Sequence, residues 1–344
     1  QPFNPENFAK APAIISPWSR LINQAPSVNT LIVTAPDLPN YLDVEELAKV
    51  FDDPLAAFAT QHLNLHFERF QDVQSDVEPF ELDALQQSIL RNHLLASLLS
   101  RDADAFNKQI NNLYMHGRIP ESSIHTAKYQ QALSQALSDE TVLESGFSDA
   151  TDKRYRVKLN INAKPLHVIA TMATNEQHDS QICDLANSKA KHIFAFYLQH
   201  AVKRLSLGRP VSSEMHYVDG AKFKEALKAL QKHAKPLNIT KLYQSIVLDD
   251  SCFDESRCEQ LLSIVIEMYQ QVLAQANIMH LAIGSATGDL EAAARKYIAD
   301  NITDPYIQYF FGDQFSSQVE LPAAAIASLN RLYREALPEG WLAK

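Results

Sequence analysis

Between Lys153 and Leu207 the chain reads as three strands followed by a long helix, and no other stretch restricts the backbone so narrowly. Tyr155, Val157, Leu159 and Ile161 alternate with Arg154, Arg156, Lys158 and Asn160. A period of two marks a strand with one apolar and one polar face. Asn162 to Pro165 then reads as a turn. Leu166 to Met172 is apolar almost throughout, which predicts a second strand buried on both faces. A polar loop, Asn175 to Ser180, leads to a short third strand around Ile182, Cys183, Asp184 and Leu185. From Asn187 a long helix is predicted, because Phe194, Tyr197, Leu198, Ala201, Val202 and Leu205 recur at helical spacing.

Helical patterns flank this stretch. Prolines at 2, 5, 12, 17, 26, 36 and 39 make residues 1–40 a linker or wrapping arm, with one strand-like run at Thr30 to Val33 and Trp18 as a local anchor. Residues 41–145 read as a helical subdomain of about five helices. Asp43 is placed to cap the first of them, and Asp53, with Pro54 at the first helical position, to cap the second. Phe80 to Ser100, Asp104 to Met115 and Ser122 to Leu137 complete the set. Residues 146–344 form an α/β domain with C-terminal helices. There Gly208 to Pro210 turns the chain into an edge strand, Glu214 to Val218. Lys222 to Ala234 is a helix with an apolar stripe of Phe223, Leu227 and Leu230 and a lysine-rich face, for which a solvated surface is the default. Further helices are expected at Gln260–Ala276, Asp289–Ile298 and Pro322–Ala336. The fold class is α+β, mostly helical.

Charge is distributed unevenly. Residues 1–149 hold 9 basic and 20 acidic side chains, residues 150–245 hold 16 and 7, and residues 246–344 hold 6 and 14. A basic centre between acidic flanks suits a face turned toward a polyanion, or a centre whose cations pair with the flanks. No apolar run approaches the roughly 20 residues of a membrane span. An N-terminal signal segment is not visible, and three cysteines make no disulfide framework, so a reducing, cytoplasmic setting is expected. A start at Gln1 suggests part of a longer polypeptide.

The remaining chemical motifs are weak. His62 and His66 stand four apart without the acidic residue of an H-E-x-x-H site, so helix-end or surface roles are expected rather than a metal. Cys252 and Cys258 lack a CxxC spacing. Gly284 to Asp289 lacks the Gly-Lys-Ser/Thr ending of a phosphate loop and reads as a plain loop. The aromatic run Asp304 to Phe311 offers rings for base stacking, although a core or interface anchor fits its apolar content better.

Taken in order, several segments resemble one family. The opening QPFNPENF, the helix pair at Leu42 to Leu65, EPFELDALQQSILRNHLLASLL from Glu78, the long helix from Ser188 to Gly208 and DPYIQYFF from Asp304 resemble the C-terminal third of RecC, the gamma subunit of exodeoxyribonuclease V. Departures are Asp53 where that family usually has His, Phe196 or Tyr197 near an expected Trp, and Gln308 with no final Arg in the DPY box.

The resemblance implies a last domain similar in fold to the PD-(D/E)xK nucleases. Active members need an Asp on the second strand and Asp/Glu-x-Lys on the third, since two carboxylates hold a divalent metal and the Lys stabilises developing charge. Here those positions fall near Thr171, and near Asp184 and Ala186, with Lys189 beyond the strand position. The implied core is a pseudonuclease with no catalytic residues, no metal and no cofactor of its own. The family further implies a heterotrimer with RecB-like and RecD-like helicase subunits acting on double-stranded DNA ends and single strands. In that setting Arg154, Arg156, Lys158, Lys189, Lys191, Lys203 and Arg204 are the expected phosphate contacts. Two rivals stand beside this reading: an active nuclease using Asp184 with Asp179 or Glu176, and a domain that only docks partner proteins.

Overall fold

Both predicted helix caps form. A short strand, β1 (Tyr41–Asp43), ends at Asp43, whose carboxylate accepts the Glu45 N–H at 2.8 Å and so starts α1 (Val44–Asp52). Asp53 accepts the Ala56 N–H at 3.2 Å and starts α2 (Pro54–Phe58), with Pro54 at its first position. The computed structural model describes residues 37–67, 82, 84–100, 102–119, 124–138, 151–161, 164–174, 180–183, 189–218, 222–223, 225–226, 228–229, 243–286, 288–311, 321, 323–338 and 341. The N-terminal arm to residue 36, Phe80, Asp184 to Ala186 and much of Lys222–Ala234 lie outside them. Among the described residues helices predominate over two small sheets, an α+β arrangement, and no helix is long and apolar enough to cross a membrane.

Helix α2 continues into a π-helical turn, Ala59–Leu63, which stops at Asn64 with a left-handed φ of 50°. His66 therefore lies past the helix end, and it and His62 do not share a helical face. Next come α3 (Ala84–Ser100), α4 (Ala103–Met115) and α5 (Ile124–Ser138). They pack on one another around Leu90, Leu94, Phe106, Ile110 and Leu133. Helix α4 starts one residue ahead of the expected Asp104 and is capped by Asp102, whose carboxylate accepts the Ala105 N–H at 2.9 Å.

The alternating strand is β2 (Thr151–Ile161), which forms a full-length hairpin with β3 (Lys164–Thr174). Strand β1 adds to β3 in parallel, giving the order β1-β3-β2. Leu166, Val168, Ala170, Met172 and Thr174 bury one face of β3. The other face is covered only in part: Ile169 is buried, His167 and Ala173 are half-buried and Thr171 is exposed, so burial on both faces does not hold. Strand β4 (Ser180–Cys183) runs parallel to β5 (Ser213–Val218), which is antiparallel to β6 (Tyr243–Leu248). Strand β5, expected at an edge, is thus the middle strand of its sheet. Local sequence carries β5's pairing capacity but not the neighbour that uses it, and β6 was not read from the sequence.

Helix α6 (Lys189–Leu207) lies across the inner face of β2 and β3. Its Ile193, Phe194, Tyr197, Leu198, Ala201 and Val202 meet Val168, Ala170 and Met172, together with α1, α2 and α7 (Glu255–Ala274), in one core. This core joins α1 and α2 to the sheet and α6, and among the described residues none of its buried members comes from α3 to α5. Helices α8 (Leu281–Gly284), α9 (Leu290–Asp300), α10 (Pro305–Phe311) and α11 (Ala323–Asn330) follow, with a π-helical turn at Arg331–Ala336. Tyr306, Ile307 and Phe310 are buried in the same core, which makes the aromatic run a packing element.

Candidate nucleic-acid interface

Strand β2 turns Arg154, Arg156 and Lys158 away from the core, and all are exposed. Its register with β3 sets Arg154 opposite Thr171, Arg156 opposite Ile169 and Lys158 opposite His167. On the far side of β3, Tyr41 of β1 stands opposite His167. The Tyr41 and His167 rings stack at 5.4 Å with planes 23° apart. Arg156 reaches diagonally over β3 to hold its guanidinium carbon 5.1 Å from the centre of the Tyr41 ring, a cation–π distance. Loss of solvent around His167 lowers its pKa, and the charges of Arg156 and Lys158 lower it further. Both effects favour the neutral form of the ring on a face already rich in cations. This arrangement combines positive charge for phosphate oxygens with an exposed aromatic ring.

Other expected contacts lie elsewhere. Lys203 is fully buried, and its ammonium donates to the Ser212 carbonyl at 2.7 Å and to Ser213 Oγ at 3.3 Å. Arg204 is 5% exposed and binds Asp250 through Nε at 2.6 Å and Nη2 at 3.3 Å, with Glu255 3.3 Å from Nη1. Both are buried and engaged by groups of the fold, whereas a phosphate contact has to reach the surface. The physical reason is that α6 is enclosed by the sheet, α1 and α7, with Ser212 and Ser213 beside it, so Gln199, His200, Lys203 and Arg204 are buried along with its apolar positions. Lys191 is half-buried, sits in the helical layer and lies 3.4 Å from Asp52 Oδ2 of α1. Lys189 begins α6, and its side chain lies outside the described residues. Tyr41 and His167 were missed by sequence reasoning. Their only signals were a tyrosine just ahead of a capping aspartate and a lone histidine within an apolar strand.

Thr171 is exposed on β3, and its backbone carbonyl accepts a hydrogen bond from Gln199 Nε2 at 3.1 Å. Among the described residues no group of three or more His, Cys, Asp or Glu side chains is arranged to hold a metal ion, and Asp184 is not among those residues. Cys252 is exposed, and Cys258 is buried with its thiol pushed up to about 12, chiefly by that burial. Next to the buried Lys203, His200 Nδ1 lies 2.9 Å from Ser213 Oγ. Burial first, and Lys203 second, push His200 down to about 4. Gly284 ends α8 against the Tyr333 ring, so packing accounts for that glycine without a phosphate.

None of the curated proteins compared with the chain matches it significantly. The model of the RecC C-terminal domain matches residues 39–289, well over half of the 344 residues. That span runs from the threshold of β1 through both sheets, α6 and α7 to the cap of α9. On this match across the body of the fold, the chain belongs to the RecC C-terminal domain family.

Proposed function

We propose that the chain is a non-catalytic DNA-guiding and scaffold module of a RecBCD-type helicase and exonuclease acting at double-strand breaks. Membership of the RecC C-terminal domain family supports a subunit role in such a complex, with RecB-like and RecD-like subunits as partners. The observation that carries the DNA-guiding part is the exposed row of Arg154, Arg156 and Lys158 on one sheet face. Backbone phosphates are bound through released counterions, so such contacts are independent of sequence and sensitive to salt. The succession of elements along the chain, β2, β3 and β4 followed by α6, is the one a nuclease-like core would have, with β4 paired in the second sheet. Thr171 in place of a carboxylate, and the lack of Asp/Glu-x-Lys on the third strand, support a core without nuclease chemistry.

The test is anisotropy of the full chain with a forked DNA end across a salt series, with magnesium present and the products run on a gel. Arg156→Glu with Lys158→Glu should weaken binding and reduce the log–log salt slope by about 2. An unchanged affinity and slope would refute the assignment. Cleavage abolished by Asp184→Ala would return catalysis to this domain. Absence of any binding by the wild type would instead favour a docking role toward the helicase subunits.

A further inference from the structure

Charge alone does not account for the outer face of the β1-β3-β2 sheet. Tyr41 is 53% exposed, although it is a large ring on a strand whose next residue, Leu42, is buried. Strand β1 stands at the end of the sheet order, so His167 and Arg156 both approach the Tyr41 ring from the middle of the sheet. With both groups against it, Tyr41 still keeps about half of its surface open to solvent. The ring is also held in place. Strand β1 is fixed by parallel pairing to β3, the His167 N–H donates to the Asn40 carbonyl at 3.0 Å, and the imidazole stacks against the phenol. A pre-positioned ring loses little freedom when a planar group settles on it.

We propose that Tyr41 is a stacking post for an unpaired nucleobase, which makes this face prefer single-stranded DNA to duplex. The proposal rests on the DNA-guiding reading above and adds to it the residue that discriminates strand state. Every base has a π-face, so stacking is tolerant of sequence, as a guiding surface requires. Arg156 serves both parts of such a site. Its guanidinium lies over the Tyr41 ring and on the same face as Lys158 and Arg154, where the phosphates flanking a stacked base would run. Bases within a duplex are already paired and stacked, and they leave this face only the phosphates to hold. The competing explanation is that Tyr41, His167 and Arg156 merely pack the sheet surface, so the test needs a readout that packing does not move.

The full chain is titrated with a single strand carrying 2-aminopurine, with the same strand made abasic at successive positions, and with the matching duplex. Wild type should bind the single strand more tightly than the duplex and quench the 2-aminopurine, and the abasic strand should lose this advantage. Tyr41→Ala should weaken single-strand binding by roughly tenfold, within the range of one lost base–aromatic stack, and leave duplex affinity unchanged. Tyr41→Phe keeps the ring and should keep both the preference and the quench, which separates stacking from a general loss of structure. Tyr41→Ala with an unchanged strand preference and quench overturns the stacking post while the phosphate contacts stand. If Arg156→Glu with Lys158→Glu leaves all binding intact, the DNA-guiding reading fails, and the stacking post fails with it.

Discussion

Adding one methyl group at Gly284 tests the tightest described packing of a glycine in the fold. A Cβ there would lie 2.5 Å from Cε1 and 2.7 Å from Cγ of Tyr333, whereas real Cβ contacts essentially never fall below 3.0 Å. Tyr333 has little room to yield. It is 1% exposed, its ring lies parallel to Trp341 with centroids 6.2 Å apart, and its hydroxyl donates to the Met279 carbonyl at 2.8 Å. Moving the ring breaks that buried hydrogen bond, at about 1 kcal/mol. Overpacking adds about 1–3 kcal/mol. Against these, alanine stiffens the unfolded chain and returns about 0.5–1 kcal/mol. Gly284→Ala should therefore destabilise the protein by about 2 kcal/mol, read as a lower urea midpoint at unchanged m-value. The cause is steric, so the cost should depend on the ring. In a Tyr333→Leu background the same change should be close to neutral, a coupling of about 2 kcal/mol. An equal cost in both backgrounds, or a stabilised single variant, would refute the steric account.

Three further outcomes follow from buried or capping groups. His200, held near 4 when folded and free to titrate near its ordinary value when unfolded, contributes stability that is complete above about pH 6.5 and is lost as pH falls toward 4. Wild type should lose about 2 kcal/mol more than His200→Gln between about pH 7 and about pH 5 in urea titrations, and parallel losses would contradict the shift. Lys203→Met should cost about 1–3 kcal/mol by stranding the Ser212 carbonyl, yet leave DNA affinity and its salt slope untouched; a changed slope would put Lys203 back among the phosphate contacts. Asp43→Ala should cost about 1 kcal/mol in thermal or urea unfolding through loss of the α1 cap, and no change would mean that the packing of β1 alone sets the helix start.

What was legible in the sequence was local, and the rest depended on partners far along the chain. A cap needs only a few residues, so Asp43 and Asp53 were readable. A half-buried strand needs only its own alternation, so Tyr155 to Ile161 was readable too. Whether β5 lies at an edge depends on β6, beginning at Tyr243, and whether β3 is covered on its outer face depends on which layers pack there. The same distinction divides the basic centre. Some of its cations pair with the acidic flanks, and others stay exposed on a strand. Lys191 and Arg204 sit on a helix enclosed by the flanks, and they meet Asp52 from the N-terminal acidic segment and Asp250 and Glu255 from the C-terminal one. Arg154, Arg156 and Lys158 alternate outward on a strand whose apolar side faces that helix, so the packing that neutralises the helical cations is the packing that leaves the strand cations exposed. A charge window counts both groups alike. The number of cations available to a phosphate backbone is therefore smaller than the central charge balance suggests, and the salt slope of binding should report the strand's contribution rather than the whole segment's.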